Sequence, residues 1–143
     1  MIVSIYQIDF IASADSSATR LLDYGDLISS MLTFSATQQA TAYASLGLPW
    51  GGTSAAGGAR RPLTWTRGIE HASHAVAASY CISHPAAMPF TAPGKLRVSV
   101  SGGEVWDLLD AVILSAGVAL DPDADFGTLA TYQAEAGQSL IVP

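Results

Sequence analysis

The segment KLRVSVS, residues 95–101, decides how the rest of the sequence is interpreted. Its Leu and Val residues alternate with charged and polar ones, which is the period-2 pattern of a strand with one buried face. Gly102 and Gly103 follow at once, and two glycines between apolar runs are typical of a tight hairpin turn. The segment therefore predicts that antiparallel strands are the main elements of the fold.

Other segments extend this prediction along the chain. Alternation and β-branched or aromatic residues predict strands at 2–11, 63–67 and 126–135. A helix is expected at about 70–83, where small and apolar residues recur at helical spacing before a His-Pro pair. Residues 105–116 remain open between helix and strand, because their apolar spacing fits a helix while the preceding Gly-Gly turn requires a returning strand. The predicted fold class is α+β, mainly β: an antiparallel β-sandwich or rolled sheet with one flanking α-helix.

The first half of the chain is less regular. Residues 21–34 are interpreted as irregular with a strand at 30–36, and 37–46 fit a short helix or a strand equally well. Residues 49–61 include four glycines within eight positions, which predicts a flexible Gly-rich loop. A long loop of this kind inside a compact domain is typical of a functional segment or of one that becomes ordered on a partner.

Length and composition limit the classes of protein. The 143 residues fit a single domain, 1–143. Half of them are hydrophobic and only 13% are charged, so much of the surface is either hidden against partners or made of small residues. The formal net charge of −6 argues against a nucleic-acid partner. No apolar run is long enough for a membrane span, and Asp9 interrupts the apolar N-terminal stretch, so neither a membrane partner nor a secretory signal is expected.

Two histidines are weak candidates for a metal site. His71 and His74 are three residues apart and would share one face of the predicted helix. Such a pair can hold zinc when further ligands arrive from elsewhere, which leaves open a small metal-dependent hydrolase. Cys81, the single cysteine, lies near the end of the predicted helix and is interpreted as a buried hydrophobe rather than a nucleophile.

An acidic turn and three tryptophans are the remaining candidates. Asp121, Asp123 and Asp125 have the spacing of calcium ligands, but Phe126 stands where a calcium loop has Gly, so a solvated turn is the simpler interpretation. The tryptophans leave open a monomeric module that binds calcium or carbohydrate; they are Trp50, Trp65 and Trp106. No catalytic set is complete, and no cofactor is expected.

The block from Leu63 to about Ala136 resembles a known family. Its order is a Thr-Trp-Thr strand, a helix with His71 and His74, Ser-His-Pro, Met-Pro, GKLRV at 94–98, GGEVWDL at 102–108, DAVI at 110–113 and a closing strand. This order resembles small tail-associated structural proteins of tailed bacteriophages and prophages, the tail-tube-like proteins.

The resemblance implies a rolled sheet or β-sandwich in which residues 104–119 form one long bent strand. It implies a non-enzymatic virion protein of the tail, assembled in the host cytoplasm, whose partners are copies of itself in a ring or other tail proteins. The Gly-rich loop would then be an inter-subunit arm. The expected interface residues are Trp50, Gly51, Gly52, Gly57, Gly58, Arg60 and Arg61.

Overall fold

The computed structural model describes residues 2–30, 37–45, 48–137 and 139–142, with side chains omitted at 29–30, 37–45 and 48–61. These residues form ten strands and one helix: β1 (Ile2–Val3), β2 (Tyr6–Ala12), β3 (Ala18–Leu22), β4 (Leu27–Ser30), β5 (Thr37–Ser45), β6 (Leu48–Glu70), α1 (His74–Ala86), β7 (Gly94–Val100), β8 (Val105–Leu120), β9 (Gly127–Ala136) and β10 (Leu140–Ile141). Every strand pair is antiparallel. The predicted mainly-β class with one helix is confirmed. Within the described ranges, no helix has the length and apolar character needed to cross a membrane.

One continuous sheet runs in the order β1-β4-β6-β9-β8-β7-β2-β3 and rolls back on itself. The roll occurs within β8, whose residues 105–111 pair with β7 while residues 112–120 pair with β9. Asp110 lies at this change with φ +53°, a conformation that Asp tolerates better than most residues. We call β1, β4, β6, β9 and residues 112–120 of β8 layer A. Layer B consists of β2, β3, β7, β10 and residues 105–111 of β8.

The core lies between the two layers. Layer B contributes the inward residues of the alternating strands, among them the fully buried Phe10 and Leu96. Layer A contributes Trp65 and Tyr132, whose ring centroids are 5.3 Å apart. The indole Nε1 of Trp65 donates to the Leu21 carbonyl at 3.2 Å, so the largest core side chain also fixes the connection between the layers.

The structure decides the open interpretation of 105–116 in favour of a strand. The Gly-Gly turn has φ values of +117° and +116°, which favour glycine, and it returns the chain beside β7. Leu108, Ala111 and Ile113 are buried, so the apolar spacing that fits a helix instead serves a strand with an irregularity near Asp110. Long-range pairing therefore overrides local periodicity.

The helix begins later than predicted. It spans His74–Ala86 rather than 70–83, because Glu70 still pairs with Gly127 in the sheet. Ser73 is the N-cap, and its Oγ accepts a hydrogen bond from the Val76 amide at 3.3 Å. The helix continues past Pro85. A proline in the last turn still allows the Ala87 amide to donate to the Ser83 carbonyl.

The first half of the chain contains more strand than predicted. Residues 49–61, predicted as a Gly-rich loop, are extended within β6 because their backbone pairs with β5 along most of its length. Residues 37–46, left open, form β5 up to Ser45. The segment 21–34, interpreted as irregular, contains parts of β3 and β4 around a turn at Gly25. The strand predicted at 30–36 lies outside the described residues beyond Ser30.

Gly94→Ala is expected to destabilise the fold, because Gly94 lies where β7 approaches β2 most closely. A Cβ there would collide with the Ile11 carbonyl oxygen and lie 2.7 Å from Phe10 Cζ. We expect a loss of roughly 1–3 kcal/mol in the free energy of unfolding, measured by urea titration. Gly117→Ala is the control, since a Cβ at Gly117 meets nothing within 4 Å. Equal stabilities of the two variants would contradict this account of the packing.

Candidate functional site

The outer edge of β8 is the most unusual surface of the fold. Residues 112–120 pair with β9 on one side. On the other side, β7 runs beside β8 only from Val105 to Ala111, where Gly94 stands opposite Ala111. In the part of the chain that the structure describes, no strand pairs with the second edge of 112–120. Along that edge, the backbone donors and acceptors have no strand partner among the described residues.

The composition of this edge favours association. Residues 112–120 read VILSAGVAL, without a charge or a proline. Leu114 and Leu120 are 51% and 56% exposed. Monomeric proteins commonly protect a free edge with lysine, proline or a very short strand, and this edge has none of these. It is suited to pairing with a strand from another chain.

The opposite edge of layer A is also apolar. There β1 pairs with β4, with Ile2 opposite Ile28 and Val3 opposite Leu27. The side chains of Ile2 and Val3 are 68% and 62% exposed. One layer thus ends in two different apolar edges, which is the arrangement that a head-to-tail contact between identical subunits requires.

A two-stranded hairpin projects from layer A. We call the hairpin formed by β5 and residues 48–60 of β6 the arm. Its register runs from Thr37 opposite Arg60 to Ser45 opposite Leu48, and within the described residues β5 pairs with β6 alone. The expected interface residues lie on β6: Trp50, Gly51, Gly52, Gly57, Gly58 and Arg60 within the arm, and Arg61 at its base opposite Ala136.

The outer face of layer B differs sharply from these edges. Four side chains of alternating charge stand opposite one another on successive strands: Arg20 on β3, Asp9 on β2, Arg97 on β7 and Asp107 on β8. Arg20 Nε is 2.7 Å from Asp9 Oδ1, and Arg97 binds both carboxylate oxygens of Asp107 at 2.8 and 3.0 Å. We call this row the charge ladder. Each charge of the ladder is paired with an opposite charge within the subunit.

Lys95 also contacts Asp107, with its Nζ 3.2 Å from Oδ2. Hydrogen bonds from Arg97, followed by those from Lys95, hold the pKa of Asp107 below its ordinary value despite burial of the carboxylate. Asp107 therefore stays ionised at neutral pH. A face of this kind remains hydrated more readily than the uncharged edge of β8.

The histidines proposed as metal ligands make other contacts. His71 Nε2 is 2.8 Å from Thr128 Oγ1, and the ring of His74 packs edge-on against Phe126 with centroids 4.6 Å apart. Asp121 Oδ1 accepts a hydrogen bond from the Asp123 amide, so this carboxylate shapes the turn between β8 and β9. Among the described residues, no three His, Cys, Asp or Glu side chains lie close enough together to hold a metal ion.

A buried polar cluster joins the helix to layer A, and sequence patterns did not reveal it. His84 Nε2 lies 2.6 Å from Tyr132 Oη, and the His84 ring stacks on Tyr80 with centroids 4.5 Å apart. The nearby Arg67 is 93% buried, and its Nε is 3.0 Å from Asp26 Oδ2 without good hydrogen-bond alignment. Burial, with a smaller effect of the Arg67 charge, lowers the pKa of His84 to about 4. In the sequence, only the Thr-Trp-Thr-Arg alternation, which turns Arg67 inward with Trp65, could have indicated this polar cluster.

Comparison with solved structures finds similar chains at low identity. A component of the anti-feeding prophage baseplate is 12% identical, with a TM-score of 0.47, over 99% of this chain and 95% of that chain. A chain of the tail of an empty GTA particle is 11% identical, with a TM-score of 0.45, over 96% and 94%. A chain of the PVC sheath–tube complex, an extracellular contractile injection system, is 8% identical, with a TM-score of 0.43, over 100% and 92%.

No protein-family model matches the chain, and no curated protein matches it.

The His84 cluster predicts a specific loss of stability on acidification. The unfolded chain binds a proton at His84 below about pH 6.5, whereas the folded chain binds it only near pH 4. The free energy of unfolding should therefore fall as the pH drops through this window, by about 3 kcal/mol at most. His84→Gln keeps a hydrogen-bonding side chain that does not titrate, so its urea-measured stability should fall less between pH 7 and pH 4. Parallel pH profiles of wild type and variant would refute this role of His84.

Proposed function

We propose that the chain is a structural subunit of a phage or phage-like tail, which joins neighbouring subunits through its sheet edges and its arm. The observation that carries the proposal is the free, uncharged edge of β8 at 112–120. Among the described residues, no strand pairs with the outer backbone groups of this segment. Pairing with a neighbour satisfies them without burying a charge.

The two edges of layer A support assembly into a ring. The β8 edge and the β1 edge are different surfaces at opposite ends of one layer. A contact between the β8 edge and any unlike surface of a second copy is heterologous, and it repeats until a ring closes or a helical array forms. Copies of the same chain are therefore the first partners that we propose, with other tail proteins at the ends of the array.

The arm supports a second contact. An isolated two-stranded hairpin is marginally stable in water, and β5 has no second partner among the described strands. Contact with a neighbouring subunit would stabilise it. We therefore keep the predicted interface residues in this role, now on an extended arm rather than a loop: Trp50, Gly51, Gly52, Gly57, Gly58, Arg60 and Arg61.

The residues that carry the resemblance to tail-tube-like proteins occupy structural positions. Trp65 is in the core, Gly102 and Gly103 form the turn before β8, and Asp107 anchors the charge ladder. None of these roles is chemical, which fits a non-catalytic protein of the virion tail assembled in the host cytoplasm. The contacts of His71 and His74 give no support to the hydrolase alternative.

Gly117→Lys is expected to block assembly while leaving the subunit folded. A side chain at Gly117 has open space around it, and a lysine on a free edge opposes strand pairing. Light scattering after size exclusion should show multimers for the wild type and monomers for the variant. The free energy of unfolding should change by less than about 1 kcal/mol.

Gln133→Lys is the matched control for this experiment. Gln133 is exposed on β9, one strand inside the edge, so a lysine there adds the same charge without occupying the free edge. It should assemble like the wild type. A wild-type protein that stays monomeric at high concentration, with no rings or tubes in negative-stain images, would overturn the proposed function.

A further inference from the structure

Among the described strands, two long edges have no pairing partner, and they match each other in length. One is the outer edge of residues 112–120 of β8, and the other is the edge of β5 that faces away from β6. β5 has nine residues, the same span as 112–120. Its sequence, TQQATAYAS, has no charge, no glycine and no proline, and the β8 segment has a single glycine.

Within the arm, β5 offers a better edge than β6. The β6 side contains Pro49, which lacks an amide hydrogen, and four glycines that weaken a strand. β5 has no proline, so each residue whose backbone groups face its outer edge can both donate and accept there. Strand addition from the arm would therefore use β5.

The two edges cannot meet within one subunit. β9 lies between β6 and β8 in layer A, and the arm continues β6 past the point where Arg61 stands opposite Ala136, the last residue of β9. Residues 48–60 in extended conformation reach about 40 Å beyond that point. The arm therefore leads away from its own β8 edge, along the direction of the strands.

A second copy displaced along this direction would present its own strands alongside the arm. We propose that β5 of one subunit pairs edge to edge with residues 112–120 of β8 in another subunit, so that the arm adds strands to the neighbour's layer A. This inference rests on the proposed function and specifies which surfaces meet. It satisfies both open edges by one contact, which involves no charged residue of either strand.

Site-specific cross-linking between two singly labelled chains tests the pairing. Both chains carry Cys81→Ser, so that each has one thiol. One chain carries Gly117→Cys, and the other carries Gln39→Cys, Thr41→Cys or Tyr43→Cys, which sample alternate positions along β5. After mixing and treatment with a short bis-maleimide, a species of twice the chain mass should appear on a denaturing gel for at least one β5 position.

The matched control replaces Gly117→Cys by Gln133→Cys, which lies one strand inside the edge and should give no such species. Cross-linking at Gln133 equal to that at residue 117 would overturn the inference, as would multimers without any β5–residue 117 product. If multimers form without that product and Gly117→Lys abolishes assembly, the proposed function stands and the β8 edge has a different partner. Absence of multimers in the wild type would instead remove the proposed function itself.

Discussion

The fold depends on one constraint, which is that the backbone donors and acceptors along both edges of a long strand need partners. β8 meets this constraint in two ways along its length. Its first half lies between β7 and β10, and its second half turns at Asp110 to pair with β9. That turn converts a single sheet into two facing layers and so creates the core between them. Among the described strands, it also leaves residues 112–120 with a partner strand on one side only.

The distribution of charge follows from the same division. Layer B covers its outer face with the charge ladder, where each guanidinium or carboxylate stands opposite its counterpart on the next strand. Cross-strand pairs of opposite charge stabilise a sheet locally and leave little net field. These pairs use three of the six basic residues, Arg20, Lys95 and Arg97. The edges of layer A are left neutral and apolar, which is a feature of surfaces that become buried.

Much of the fold could be predicted from sequence where the pattern is local. The alternation of 95–101, the β-rich N-terminus and the strand near 126–135 all have one buried face, so period 2 is visible in the residues themselves. The segment 105–116 could not be decided locally, because a strand with a bulge near Asp110 breaks period 2 and imitates helical spacing. The ion pair of the buried Arg67 with Asp26 could not be foreseen either, since the two residues are distant in sequence.

The arm shows why composition alone misjudges such segments. Four glycines and a proline predict a loop when the segment is considered by itself, because glycine weakens a strand through the entropy lost on ordering. Pairing with β5, a strand without glycine or proline, supplies the hydrogen bonds that keep the segment extended. The arm thereby becomes a projecting pair of strands with one well-formed edge, while β8 retains the other open edge of similar length. Because neither edge has a second strand partner among the described residues and a contact between copies would supply one to both, the same constraint that shapes the subunit also favours its association.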